Sequence, residues 1–131
     1  MNSFSKLRAM KTLLVDDDDF IRDSLKIVFN NQRCFLQTAV NAEEGLKALE
    51  REKFNIVLSD ARLPGTDGLS FLKSVGIVQP DTLRVLITSY GDKSCTSMVS
   101  GGCVHEYIEK PFSVEYLAES LAALARHQLN F

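Results

Sequence analysis

Cysteine is scarce in this chain of 131 residues, and its three cysteines suggest neither a cross-link nor a metal centre. Cys34, Cys95 and Cys103 are odd in number and irregularly spaced, with no C-x-x-C pair and no histidine partners at ligand spacing. Disulfide-scaffold and zinc-ribbon classes are excluded, and reduced thiols in a cytoplasmic protein are expected. A basic excess is also missing. The formal net charge is −2, with acids and bases interspersed, which argues against a general nucleic-acid-binding surface. No apolar run approaches the roughly 18 residues that span a bilayer, so no membrane partner is expected. The basic stretch Met1 to Lys11 lacks the apolar core and small-residue cleavage site of a signal peptide. Internal repeats, low-complexity tracts and interdomain linkers are absent as well.

What remains is a chain of ordinary hydrophobicity, 45% apolar, long enough for one domain with a self-sufficient core. Met1 to Ala9 is expected to be a loosely ordered leader, 10–127 the domain and 128–131 a tail. Within the domain, strand and helix periodicities alternate. Thr12 to Val15, Cys34 to Val40, Ile56 to Ser59, Arg84 to Thr88 and His105 to Glu109 read as short buried strands. Helical stripes follow them: Ile21, Leu25 and Val28; Ala42, Leu46 and Leu49; Leu69, Leu72 and Val75; a weak Ser- and Thr-rich segment from Asp92 to Ser100; and Val114, Leu117, Leu121 and Leu124. The expected caps are Asp18 or Asp19, Asn41 with Glu44, Asp67, and Ser113. Leu63-Pro64-Gly65-Thr66-Asp67-Gly68 is turn chemistry. Five apolar strands alternating with five helices imply a doubly wound α/β fold, a parallel sheet covered on both faces.

Ligands of such a sheet bind at the carboxyl ends of its strands. Asp16 and Asp17 follow the first strand, Asp60 the third, Thr88 ends the fourth, and Lys110 with Pro111 follows the fifth. Three crowded carboxylates repel unless a cation sits among them. Hard oxygen ligands suit Mg²⁺, which shares carboxylates with waters and phosphate oxygens. A carboxylate can itself take a phosphoryl group, with a hydroxyl from Thr88 and the Lys110 ammonium stabilising its oxygens. A four-aspartate run alone is ordinarily a solvated turn, and Asp18 and Asp19 are assigned to capping and surface. His105 and His127 have no ligand-spaced partners and are assigned no chemistry.

Four motifs, in order from about Lys11 to Arg126, resemble those of response-regulator receiver domains. They are Leu13-Leu14-Val15-Asp16-Asp17-Asp18-Asp19-Phe20-Ile21-Arg22; Val57 to Gly68 around Asp60; Val85-Leu86-Ile87-Thr88 with Ser89-Tyr90-Gly91; and Tyr107-Ile108-Glu109-Lys110-Pro111-Phe112. The resemblance implies a flavodoxin-like five-stranded sheet in the order 2-1-3-4-5 and a cis Lys110–Pro111 peptide. It implies that Asp60 accepts phosphate from the phosphohistidine of a histidine kinase or phosphotransfer protein. Mg²⁺, with Mn²⁺ as an alternative, is expected on Asp17, Asp60 and the backbone carbonyl of Arg62, and on Asp16 through water. Thr88 and Lys110 then hold the phosphoryl group, and Tyr107 reorients with Thr88. The output is expected at the face of the fourth helix, fifth strand and fifth helix, toward an output domain, a partner protein or a second copy of the chain. The activity is that of a switch, confined to the domain's own phosphorylation and dephosphorylation. Arg62, long and cationic two residues past Asp60, is expected to alter the lifetime of the aspartyl phosphate.

Two other classes share parts of this pattern. A haloacid-dehalogenase-like phosphatase also uses an aspartate nucleophile with Mg²⁺, and Asp17-Asp18-Asp19-Phe20-Ile21 approximates its opening. Against it, the strong nucleophile candidate lies on the third strand, and no acidic motif follows a strand after Lys110. A flavodoxin-like cofactor binder would need a Ser/Thr/Gly-rich phosphate loop, which is missing. A receiver-shaped docking module has the same residues and differs only in whether Asp60 is used.

Overall fold

The computed structural model describes residues 3–89 and 102–129, with side chains through residue 126. Its elements are α1 (Phe4–Leu7), β1 (Lys11–Val15), α2 (Asp19–Asn31), β2 (Phe35–Ala39), α3 (Ala42–Arg51), β3 (Ile56–Asp60), β4 (Arg62–Leu63), β5 (Thr66–Asp67), α4 (Gly68–Val78), β6 (Leu83–Ser89), β7 (Glu106–Lys110) and α5 (Val114–Leu129). The helix expected from Asp92 to Ser100 lies outside the described residues, as does Cys95.

The five long strands form one parallel sheet in the order β2-β1-β3-β6-β7. In chain order of those strands this is 2-1-3-4-5, the expected doubly wound arrangement. Helices cover both faces, so strand residues alternate between two cores. Leu14, Ile56, Leu58, Val85, Ile87 and Ile108 pack toward α2 and α5. Leu13, Val15, Val57 and Leu86 pack toward α3 and α4. Period-two alternation with both faces apolar is what makes these strands read as continuous hydrophobic runs.

The caps form where the sequence places them. Asp18 Oδ1 accepts from the N–H groups of Phe20 (2.9 Å) and Ile21 (3.3 Å). Asn41 Oδ1 accepts from Glu44 N (2.8 Å), Asp67 Oδ1 from Ser70 N (2.7 Å) and Ser113 Oγ from Tyr116 N (3.0 Å). Each cap is worth about 1 kcal/mol. The turn around Gly65 closes a small antiparallel ribbon, β4 against β5, with Gly65 at φ +78°, a conformation glycine adopts without strain. The α2 stripe is rotated from expectation: Leu25 and Phe29 are buried, while Ile21 and Val28 sit at the edge of the core.

Within the stretch expected to be a loosely ordered leader, Phe4–Leu7 forms a short helix that packs on the core. Phe4 and Leu7 are buried, and Phe4 meets Phe29 edge-on at 5.8 Å between ring centroids. Arg8 Nε donates to Gln32 O at 2.9 Å, and α1 packs against α5. A four-residue helix has no stability of its own. Burying two large side chains contributes about 1.5–3 kcal/mol each, against about 1–2 kcal/mol per residue ordered. It therefore forms only because the core receives it, and it is too short to carry a periodic signal.

A buried amide at the foot of the sheet holds three segments together. Gln79 Nε2 donates to Leu49 O (2.9 Å) and Glu52 O (3.0 Å), and its Oε1 accepts from Phe54 N (3.1 Å). The Thr82 hydroxyl lies 2.7 Å from Phe54 O and 3.0 Å from Gln79 Oε1. Gln79→Leu keeps the volume and strands three backbone groups, so a loss of about 3 kcal/mol is expected in chemical denaturation. A loss below about 1 kcal/mol would mean the carbonyls find other partners.

His105 also belongs to this foot, away from the carboxyl ends of the strands. Its Nδ1 accepts the Arg84 N–H at 3.0 Å, and its own N–H donates to Arg84 O at 2.8 Å. Burial, and then the Arg84 charge, push its pKa below the ordinary value. A depressed histidine pKa means the unfolded chain binds the proton first. Its contribution is fully present above the unfolded value of about 6.5 and is lost as pH falls through the lower folded value. Between pH 7 and 5, wild type should lose more stability than His105→Gln; parallel curves would show that the imidazole does not titrate against folding.

Candidate functional site

The carboxyl edge of the sheet collects the polar residues that follow its apolar strands. Asp16 is fully buried just past β1, and its N–H donates to Ala39 O at 3.1 Å. Asp17 is exposed beside it, and Asp60 closes β3 with its side chain 16% exposed. Each of the three carboxylates offers an oxygen within 4.8 Å of the others. Lys110, at the end of β7, reaches over them: its Nζ lies 3.4 Å from Asp60 Oδ2 and 3.5 Å from Asp16 Oδ2. The Lys110–Pro111 peptide is cis. β6 is the neighbour of β3, and Asp60 stands opposite Ile87, which puts buried Thr88 one residue beyond it on the same edge.

Two atoms of this group are buried without a hydrogen bond. Asp16 Oδ1 accepts from Asp18 N at 2.9 Å, but Asp16 Oδ2 has only the long ion-pair contact with Lys110 and no hydrogen-bonding geometry. Thr88 Oγ1 has no hydrogen-bond partner among the described residues. Buried polar atoms are almost always paired, so both atoms have hydrogen-bonding or ligating capacity to spare. Burial raises the Asp16 pKa; the Asp18 N–H and Lys110 oppose this, and the Asp60 charge adds to it. A carboxylate held at this cost gains most from a hard divalent cation. The donor set, three carboxylates with an unfilled oxygen, fits Mg²⁺ or Mn²⁺.

Tyr107 is half-buried opposite Leu86 and packs against the α3/α4 core. Arg62 is exposed on the β4–β5 ribbon, paired in register with Asp67. The structure therefore brings Asp16, Asp17, Asp60, Thr88 and Lys110 to one edge and places Tyr107 on β7, the strand that ends in Lys110.

Two residues are given no role at the site by the sequence. Gly68 begins α4 hard against Asp60: its N–H donates to Ala61 O at 2.8 Å, and a Cβ there would lie 1.9 Å from Asp60 O. Arg22 donates from Nη1 to Asp16 O at 2.7 Å and pairs through Nη2 with Asp19. The Asp19–Arg22 spacing of three hints at the second contact; nothing local hints at the first.

Residues 12–122 match the family described as the response regulator receiver domain. Over 124 residues the chain is 34% identical to the response regulator protein FleR of Pseudomonas aeruginosa, covering 93% of this chain and 25% of that protein. It is 29% identical over 112 residues to the C4-dicarboxylate transport transcriptional regulatory protein DctD of Rhizobium meliloti, covering 86% and 24%. The chain thus spans about a quarter of the length of these curated relatives. Among solved structures, a CheY-like response regulator receiver domain protein from Methanospirillum hungatei superposes with a TM-score of 0.84 at 28% identity, covering 91% of this chain and 95% of that one.

Proposed function

Since this chain belongs to the response regulator receiver domain family of two-component systems, we propose that Asp60 is its phosphoacceptor and that phosphoryl transfer to Asp60 is its switch. The observation that carries the reading is the convergence of Asp16, Asp17, Asp60 and Lys110 beside the buried Asp16 Oδ2, with the buried Thr88 hydroxyl at the same sheet edge. The donor is the phosphohistidine of a sensor histidine kinase or a phosphotransfer protein. A carboxylate oxygen of Asp60 bonds to phosphorus as the phosphorus–nitrogen bond breaks, and the imidazole leaves with the electron pair.

Asp16, Asp17, Asp60 and the Arg62 carbonyl would hold the divalent cation, which when bound supplies positive charge for the phosphoryl oxygens. The Lys110 ammonium exchanges its contacts with Asp60 and Asp16 for a phosphoryl oxygen. The Thr88 hydroxyl donates to another, gaining the partner it lacks. Tyr107 follows Thr88, which repacks the face made by β7 and α5. An output domain or partner protein reads that face, in the cytoplasm. Arg62, exposed two residues past Asp60, alters the lifetime of the aspartyl phosphate.

No helix among the described residues is long and apolar enough to cross a membrane. Incubation with a small phosphodonor and Mg²⁺ should give one acyl phosphate, mapped to Asp60 and absent when the metal is chelated. Modification elsewhere, or none, would leave a docking module as the better account, and sustained turnover of phosphate esters would favour a phosphatase.

A further inference from the structure

We propose that Arg22 is a positioning residue for the divalent-cation site, holding the Asp16–Asp17 turn in ligand geometry against the repulsion of its own carboxylates. The inference rests on the cation-binding reading of that site. The Arg22 side chain is 12% exposed, although arginine is usually solvated. It is drawn in by two contacts that no single-point cation could make together: Nη1 to Asp16 O at 2.7 Å, and Nη2 to the Asp19 carboxylate. A planar fork of donors fits that pair of acceptors.

The contacts close a loop. Arg22 N donates to Asp18 O at 3.1 Å, and Asp18 N donates to Asp16 Oδ1 at 2.9 Å. Asp18 caps α2 through Phe20 and Ile21. The turn that carries Asp16 and Asp17 is therefore tied at its carbonyl, at its carboxylate and at its cap to the first turn of one helix. Asp16 is also tied to β2 through Ala39 O. Without the guanidinium, the Asp16 carbonyl loses its charged donor, and the repulsion from Asp60 acts on a turn held at fewer points.

The two effects Arg22 could have on a cation are opposite in sign. As a bare charge near three carboxylates it repels Mg²⁺, so its removal would tighten binding. As a positioning residue it pre-organises the ligands, so its removal weakens binding, by about tenfold for an outer-shell partner of a metal site. Mg²⁺ titration of the 131-residue chain, followed by amide NMR shifts of Asp16, Asp17 and Asp60, separates them without reference to phosphorylation. Arg22→Met should weaken Mg²⁺ about tenfold. Arg22→Lys, with charge unchanged, should fall between the two, because an ammonium on a shorter stem cannot bridge both acceptors. Lys26→Met, one turn further along α2, should bind as wild type or slightly tighter.

Equal or tighter binding in Arg22→Met would overturn the proposal. If that variant does not fold, Arg22→Lys decides alone: binding as tight as wild type would overturn it. A wild-type chain that shows no Mg²⁺ shifts at Asp16, Asp17 and Asp60 would instead sink the cation site itself, and the proposal with it.

Discussion

Asp60→Asn is expected to reduce phosphoryl uptake from a small phosphodonor to background while the domain stays folded. The amide has almost the shape of the carboxylate but is no nucleophile at neutral pH, so the bond to phosphorus cannot form. It also removes one of three anionic oxygens from a site whose members lie within 4.8 Å of each other. Mg²⁺ affinity should fall on the order of tenfold with the lost charge. Stability should change little, since the variant gives up the 3.4 Å contact with Lys110 and also relieves repulsion toward Asp16, which keeps Lys110 at 3.5 Å. Mass spectrometry of treated protein, with circular dichroism as the folding check, measures both halves. Undiminished uptake would place the acceptor elsewhere.

Gly68→Ala should damage fold and site together. The added Cβ would sit 1.9 Å from Asp60 O, 2.8 Å from Asp60 C and 3.0 Å from Ala61 Cα. These are backbone atoms of β3 and its exit, and no rotamer change clears them. Either α4 backs away, breaking the 2.8 Å bond from Gly68 N to Ala61 O, or Asp60 moves. A loss of about 3 kcal/mol is expected, with slowed phosphoryl uptake at temperatures where the variant is still folded, because a shift of about 1 Å at a reacting group can cost on the order of 10²-fold. Gly65→Ala is the control. No atom lies within 4 Å of its Cβ position, and only the φ of +78° is strained, at a cost of about 1–2 kcal/mol. Its uptake should match wild type. Similar uptake in both variants would show that the pressure of α4 on Asp60 is unimportant.

Gly68 was visible in the sequence only as the end of a turn, Leu63 to Gly68, and as a place for a helix to begin. Its importance comes from Asp60, eight positions away in the chain and in van der Waals contact in space. Gln79 shows the same limit more strongly. Gln79 carries no sequence signal of its own, and its partners Leu49, Glu52 and Phe54 lie 25 to 30 residues away. The burial of α1 depends likewise on Phe29 and on α5. Residues such as Asp18, Asn41, Asp67 and Ser113 were legible because a cap is made with the next three residues.

The sequence by itself determined the alternation of strands and helices, the caps, and the edge on which Asp16, Asp17, Asp60, Thr88 and Lys110 would meet. Those follow from local periodicity and from the rule that parallel strands carry their exits to one side. Tertiary structure alone decided how deeply Asp16 is buried and which of its oxygens is left without a hydrogen bond. It also decided that Arg22 turns inward to the Asp16 carbonyl, that Gly68 presses on Asp60, and that Phe4 and Leu7 dock on the core. Each of these depends on a distance between chain segments, and periodicity along one segment carries no information about what packs against it.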